Sequence, residues 1–247
     1  MCTILLAWRV VPGVPVILAA NRDELVARPS LPPLVLRPEP LIAGGQDALA
    51  GGTWLAVRAD GAVAAVTNRR AGERDPQRRS RGELPLMLLE AGDPRAVLDG
   101  LHARDYNPFN ALYVSPSLAM AAEAHGDELR VFALQPGLHV ITVHDVDDVA
   151  QRKVAWLTAR FQALPATDAA ALLDGMEELL RDRGEPGRDG ADAACVDLGV
   201  YGTVSSSSVV VDDTGHITYR HAPGKPCVTP FEDVSALLLE ELQSSAG

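Results

Sequence analysis

The sequence is poor in cysteine, in lysine and in long apolar runs. Cys2, Cys195 and Cys227 are the three cysteines in 247 residues. So odd and scattered a set argues against a disulfide framework. No CxxC, HExxH or clustered Cys/His spacing is present, which argues against a structural zinc site. Lys153 and Lys225 are the two lysines, so nearly all of the 22 basic residues are arginine. Ala, Pro and Gly are also abundant, the mark of GC-rich coding, so arginine number alone says little about function. A formal net charge of −11 and a pI near 4.9 disfavour nucleic acid as a partner. No segment reaches the ~18 apolar residues of a membrane-spanning helix. The opening MCTILLAWRVV has no basic region ahead of its apolar run and reads as a strand, not a signal peptide. The expectation is a cytoplasmic protein with no integral membrane segment.

What is there suffices for a core. Hydrophobic residues make up 47% of the chain, which excludes global disorder. The length suits one domain over residues 1–247. Residues 3–11 and 14–20 read as a hairpin around Pro12-Gly13 that meets the polar tetrad Asn21-Arg22-Asp23-Glu24 at a sheet edge. The proline-rich stretch 28–50 reads as a loop. Residues 53–58 and 62–67 form a second hairpin about Asp60-Gly61. Ser80-Arg81-Gly82-Glu83 matches a capping box and predicts a helix over 82–91. A second helix, 94–103, follows Asp93. Strands are expected at 109–123, 128–134 and 138–143. Helices follow at 149–162 and 168–182, the latter capped by Thr167. A loop at 184–198, strands at 200–211 and 215–221, and a helix at 230–243 complete the chain. Antiparallel hairpins alternating with helix pairs argue against a Rossmann-like parallel sheet. The strands are apolar on both sides, so helices should cover both faces.

Several residues could carry chemistry. With Met1 removed, Cys2 would hold a thiol and a free α-amine, nucleophile and base in one residue. The plain alternative is a small hydrophobe opening a strand. In the tetrad, Asp23 could hold an α-ammonium and Arg22 a carboxylate or phosphate; a solvated turn of internal ion pairs is the alternative. Asn68, at a strand end, could donate to an oxyanion or simply satisfy turn backbone. Arg69, Arg70, Arg74, Arg78, Arg79 and Arg81 run into a capped helix start, which favours an anion, or else form a solvated loop. His139 and His144, five apart on a strand, point to opposite faces and do not chelate one metal easily. Ser205 to Ser208 lack the G-x-S-x-G elbow of a serine hydrolase.

Taken in order, these pieces resemble the NRDE-type transport and Golgi organization 2 family. The matching residues are Met1-Cys2-Thr3, Asn21-Arg22-Asp23-Glu24, Gly51-Gly52-Thr53-Trp54-Leu55, Thr67-Asn68-Arg69-Arg70 and Ser80-Arg81-Gly82. Tyr106-Asn107-Pro108-Phe109-Asn110, Pro136-Gly137-Leu138-His139 and Tyr201-Gly202-Thr203 continue the series. The resemblance implies an N-terminal nucleophile hydrolase fold, α+β, a four-layer α-β-β-α sandwich of antiparallel sheets. It also implies distant kinship with cysteine amidases such as bile-salt and penicillin V hydrolases. Carried over, Cys2 would be the nucleophile, Asp23 would hold the α-amine, and Asn68 would help form the oxyanion hole. Asn21, Arg22, Trp54, Arg69, Arg70 and Arg81 are the expected substrate-binding residues. Val143 stands where the family usually shows asparagine, and Val204 where it shows arginine. Losing one oxyanion donor costs roughly 100- to 1000-fold in rate.

Two functions follow. One is a hydrolase of a linear amide or thioester with Cys2 as nucleophile. The other is a non-catalytic carrier of haem or acyl-CoA, since family members are linked to haem mobilisation and lipid metabolism. Either takes a small ligand with an anionic group and an apolar body. No resident cofactor or metal is expected, and haem enters only as a transported ligand.

Overall fold

The computed structural model describes residues 2–70, 74–184 and 192–239. The chain opens with β1 (Thr3–Val11) and β2 (Val14–Leu25), turned at Gly13, whose φ of +77° glycine adopts without strain. Next come β3 (Ser30–Pro38), β4 (Leu41–Asp47), β5 (Leu55–Arg58) and β6 (Val63–Asn68). Helices α1 (Leu84–Glu90) and α2 (Pro94–Asp99) follow. The strands β7 (Phe109–Val114), β8 (Ala119–His125), β9 (Glu128–Ala133) and β10 (Gly137–Ile141) lead to α3 (Arg152–Gln162) and α4 (Ala169–Leu180). The last strands are β11 (Tyr201–Val211), β12 (Ile217–Ala222) and β13 (Glu232–Asp233).

The strands form two sheets with antiparallel neighbours throughout. One has the order β10-β1-β2-β11-β12-β13, the other β3-β4-β5-β6-β7-β8-β9. Alternation along the strands sorts side chains into three apolar layers. Ile4, Leu6, Val16 and Leu18 meet Leu55, Val57, Val63 and Leu112 between the sheets. Leu5, Ala7, Ile17 and Ala19 face outward onto Val154, Leu157 and Phe161 of α3 and Leu172, Leu173 and Met176 of α4. Ile42, Ala56, Ala64 and Val66 face outward onto Leu84, Leu88 and Leu89 of α1 and Leu98 of α2. This is a four-layer α-β-β-α sandwich, α+β in class. Both faces of each central strand are dry, so apolar runs replace the polar alternation of a half-exposed sheet. Among the described residues no helix is long and apolar enough to cross a membrane.

Five expectations are corrected. Residues 28–50 are not a loop but hold β3 and β4. β3 is the edge of its sheet, and Pro32 and Pro33 fall where its register with β4 breaks between Leu31 and Leu34. Residues 109–123 split into β7 and β8 at a turn in which Ser115 Oγ accepts from the Leu118 N–H. The cap of α4 is Asp168, which accepts from Ala170 and Ala171, rather than Thr167. Ser80 accepts from Gly82, but Glu83 does not complete a capping box; its carboxylate accepts from the Tyr106 hydroxyl at 2.5 Å. Residues 230–239 hold β13 and a short 3-10 turn, Ser235–Leu238, in place of a helix. The rest of that expected helix, 240–243, and the part of the expected 184–198 loop at 185–191 lie outside the described residues.

Candidate functional site

The tetrad is not a turn. It continues β2 between two partners, with Thr3 opposite Asn21 on one side and Thr203 opposite Asp23 on the other. Asn21, Arg22 and Asp23 are therefore buried. Cys2 leads into β1 beside them, 6% exposed, its Sγ 3.8 Å from the Asp23 carbonyl oxygen. Met1 lies outside the described residues. Burial pushes the Cys2 thiol pKa up, and the Asp23 charge adds to that rise. Burial also raises Asp23, against the opposing Lys153 charge and the Thr203 hydrogen bond. Thr203 Oγ1 donates to Asp23 Oδ1 at 2.6 Å and itself accepts from the Val196 N–H at 2.9 Å. The Tyr201 hydroxyl donates to the Asp23 carbonyl at 3.0 Å.

These residues open onto a cavity of about 510 Å³. Cys2, Arg22, Asp23, Tyr201, Val204, Ser205 and His221 line it from the six-stranded sheet and its extensions. Trp54, Asn68, Arg74, Arg79, Arg81 and Gly82 line it from the seven-stranded sheet and its loops. Arg28 and Asp47 stand at the side, joined at 2.6 Å, with Arg22 Nη2 3.7 Å from the same carboxylate. Five arginines in the wall face three carboxylates, an excess of positive charge in an acidic chain. Arg22 Nη1 is buried with no hydrogen-bond partner among the described residues. Arg81 Nη1 donates to the Pro108 carbonyl at 3.0 Å. Burial, then the nearby Arg74 charge, lowers the Arg81 pKa to about 10, so it stays protonated at neutral pH.

Two glycines place the arginine side of the wall. A Cβ on Gly52 would sit 2.5 Å from the Gly82 carbonyl, and the Thr53 N–H donates to that carbonyl at 2.8 Å. The loops carrying Trp54 and Arg81 thus touch backbone to backbone. Asn107 fixes the next loop: its side chain exchanges hydrogen bonds with the Asp75 backbone at 2.9 and 2.8 Å. On the other wall the β2–β11 register shifts between Thr203 and Ser205, so Val204 is a bulge residue.

Of the expected site residues, the fold brings Cys2, Arg22, Asp23, Trp54, Asn68 and Arg81 to one cavity. It does not bring Asn21, Arg69 or Arg70 to that wall. The Asn21 amide donates to Leu180 and Ala194 carbonyls, both at 2.9 Å, and so ties β2 to the end of α4. Arg69 turns to Asn110 Oδ1 at 2.8 Å and pairs with Asp145. Arg70 is exposed, with its backbone N–H on the Val143 carbonyl at 3.0 Å. His139 is buried against Asp147 at 2.7 Å and the Gln135 carbonyl at 2.8 Å, closing the turn after β10. Val143 is buried but is not a lining residue, whereas Val204 is.

Sequence reading missed Thr203 as the support of Asp23, Lys153 as a nearby cation, and His221. His221 accepts from or donates to Ser207 through Nδ1 at 3.0 Å, and burial lowers its pKa to about 4. Each is distant in sequence from the tetrad: the pairing of β2, β11 and β12 places Thr203 and His221, and α3 carries Lys153. The motif Tyr201-Gly202-Thr203 was the one available signal for the first.

Two antiparallel sheets between helix pairs form the four-layer sandwich of the N-terminal nucleophile hydrolase fold. Solved structures agree. A Caenorhabditis elegans N-acylethanolamine-hydrolyzing acid amidase ortholog aligns with TM-score 0.57 and 14% identity, covering 85% of this chain and 92% of that one. The penicillin V acylase from Agrobacterium tumefaciens aligns with TM-score 0.59 and 12% identity, covering 97% and 89%. At these identities the likeness is one of fold. The family model for Transport and Golgi organisation 2 matches residues 1–222, and the chain belongs to that family. The human Transport and Golgi organization protein 2 homolog is 29% identical over 233 residues, 82% of this chain and 84% of its own.

Proposed function

We propose that the protein is a cysteine hydrolase of a linear amide or thioester whose substrate carries an anionic group and an apolar body. The sharing of one cavity by Cys2, Asp23, Asn68 and Arg81 is the observation that carries this reading. With Met1 removed, the Cys2 α-amine acts as base. An α-amine has a pKa of about 7.7–8.0, so near neutral pH part of it is free to take a proton. The thiol needs that base because burial keeps it protonated. Asp23, held by Thr203, holds the ammonium that forms. The thiolate adds to the substrate carbonyl, and the oxyanion is met by the Asn68 amide and backbone N–H groups. Collapse expels the amine or thiol, which takes the proton back from the ammonium. A water deprotonated by the same amine then cleaves the Cys2 thioester.

The arginine wall supports the substrate class. Arg22 Nη1, buried and unpartnered among the described residues, suits a carboxylate or phosphate that satisfies it. Trp54 and Leu31 supply apolar wall for the ligand body. Intact mass of the untagged protein first reads whether Met1 is removed. Acyl-CoA thioesters and N-acyl amino acids then serve as substrates, with mass spectrometry for an acyl group on Cys2. Cys2→Ala is expected to lose turnover and adduct together. Retained Met1, or turnover unchanged in Cys2→Ala, overturns the reading.

Val204 favours a second reading. It puts an apolar side chain in the wall where the family pattern has an arginine. A carrier of haem or acyl-CoA needs the cavity and the arginines but not the nucleophile. Ligand binding that is unaffected by Cys2→Ala, in a protein without turnover, supports it. Absence of a Soret shift with haem, together with no acyl-CoA binding, ends it.

A further inference from the structure

The second and third cysteines are not among the residues that line the cavity, and they meet. Cys195 belongs to the irregular segment that precedes β11 and is 2% exposed; Cys227 follows β12 and is half-buried. Their sulfurs are 2.7 Å apart although the residues are 32 positions apart in sequence.

The meeting is held on both sides. The Cys195 N–H donates to the Asp182 carbonyl at 2.7 Å, and the next residue, Val196, exchanges hydrogen bonds with Thr203 at 2.9 Å in each direction. A Cβ on Gly202 would lie 2.6 Å from the Val196 carbonyl, so this segment lies directly on the start of β11. On the other side, the N–H groups of Val228 and Thr229 both donate to the Lys225 carbonyl, which turns the chain around Cys227. Lys225 Nζ reaches Asp197 Oδ2 at 2.5 Å. The ion pair at 225–197 and the sulfur contact at 227–195 join the same two segments. The ion pair therefore seats the Cys227 loop so that sulfur faces sulfur.

We propose that Cys195 and Cys227 are a reversible oxidation site that a hydroperoxide converts to an intramolecular disulfide, clasping the end of the β11–β12 hairpin to the segment bonded to Thr203. Cys227, the more exposed sulfur, attacks the peroxide oxygen; the O–O bond breaks and a sulfenic acid forms, with water or an alcohol released. Cys195 then attacks the Cys227 sulfur. The S–S bond forms, the S–O bond breaks, and the leaving hydroxide departs as water with the Cys195 proton. Two thiols lose two electrons and two protons in all, and a dithiol reductant reverses the step. Burial, then the hydrogen bond with Cys227, raises the Cys195 pKa to about 12, consistent with its acting second. The ring so closed contains Tyr201, Val204, Ser205 and His221, one wall of the cavity.

The test uses the full chain. Protein treated with stoichiometric hydrogen peroxide is denatured without reductant, alkylated with iodoacetamide and digested. A Cys195–Cys227 cross-linked peptide, with Cys2 alkylated and the mass of two hydrogens lost from the intact protein, is the expected result. Dithiothreitol should restore alkylation of all three cysteines. Oxidised protein should melt about 10 °C higher and exchange β12 amide hydrogens more slowly. Alkylation of all three cysteines after peroxide, or a disulfide that includes Cys2, overturns the site. A cross-link that leaves β12 exchange unchanged overturns the clasp. Cys227→Ser, a change at a half-buried position, should abolish the cross-link, and its persistence would contradict the assignment.

Discussion

The two sheets build opposite walls of the cavity in different ways. The six-stranded sheet presents residues from inside or beside its ladder. Arg22 and Asp23 are buried in β2, and Asp23 is bonded to Thr203. The seven-stranded sheet presents Asn68 at a strand end and Arg74, Arg79 and Arg81 from the loop beyond it. Arg79 is 53% exposed on its side chain and rests on the Tyr106 ring. Proton transfer needs fixed, dry groups, because geometry and burial set pKa values. Ligand capture needs charge that can adjust. Substitutions at Asp23 and Thr203 on the first wall should therefore change chemistry or stability, and those at Arg74, Arg79 and Arg81 on the second should change binding.

Four measurements can break or sharpen that contrast. Asp23→Asn keeps an oxygen for Thr203 but removes the carboxylate. We expect turnover to fall by about 10²- to 10⁴-fold with little loss of thermal stability; a changed KM with unchanged kcat would move Asp23 to the binding wall. His221 comes next. Its folded pKa of about 4 lies below the ordinary 6.5, so the unfolded chain takes up a proton that the folded one refuses. Stability should therefore fall as pH drops from about 6.5 to 4, by about 3 kcal/mol in total. Urea titrations of His221→Gln across that window should lack this component. Thr203→Val removes the hydrogen bonds that Thr203 Oγ1 makes with the Val196 N–H and Asp23 Oδ1, and should cost about 1–3 kcal/mol in the same assay. Arg81→Met should be mildest for the fold, costing about 0.5–1.5 kcal/mol for the hydrogen bond to the Pro108 carbonyl. Anionic ligand affinity should drop about tenfold. Equal affinity, measured by calorimetry, would remove Arg81 from the binding wall.

Much of the sandwich is legible in the residues. Pro12-Gly13 and Asp60-Gly61 mark hairpins, and apolar runs on both strand faces require helices on both sides. The errors share a cause: edge conditions are invisible in a string. Pro32 and Pro33 look like loop until β3 is known to be an edge strand. The tetrad looks like a solvated turn until β11 is known to pair with it. The site divides in the same way. Cys2, Asp23 and Asn68 carry recognisable chemistry at ordered positions. Thr203, Lys153 and His221 acquire meaning only from neighbours far along the chain. Asn21 and Arg69 have side chains suited to a ligand but spend them on the protein's own backbone and on Asn110 and Asp145, and exposed Arg70 is not part of the cavity wall.

The bulge at Val204 separates what the wall is made of from how the sheet is held. Thr203 still pairs with Asp23 on one side of it and Ser205 with Arg22 on the other. The extra residue adds a side chain to the cavity without taking a place in the ladder. A descendant can therefore exchange that side chain, long and charged or short and oily, while every hydrogen bond around it keeps its address. The protein has, in effect, one interchangeable fitting in an otherwise fixed frame, and its occupant sets the character of that stretch of the cavity wall.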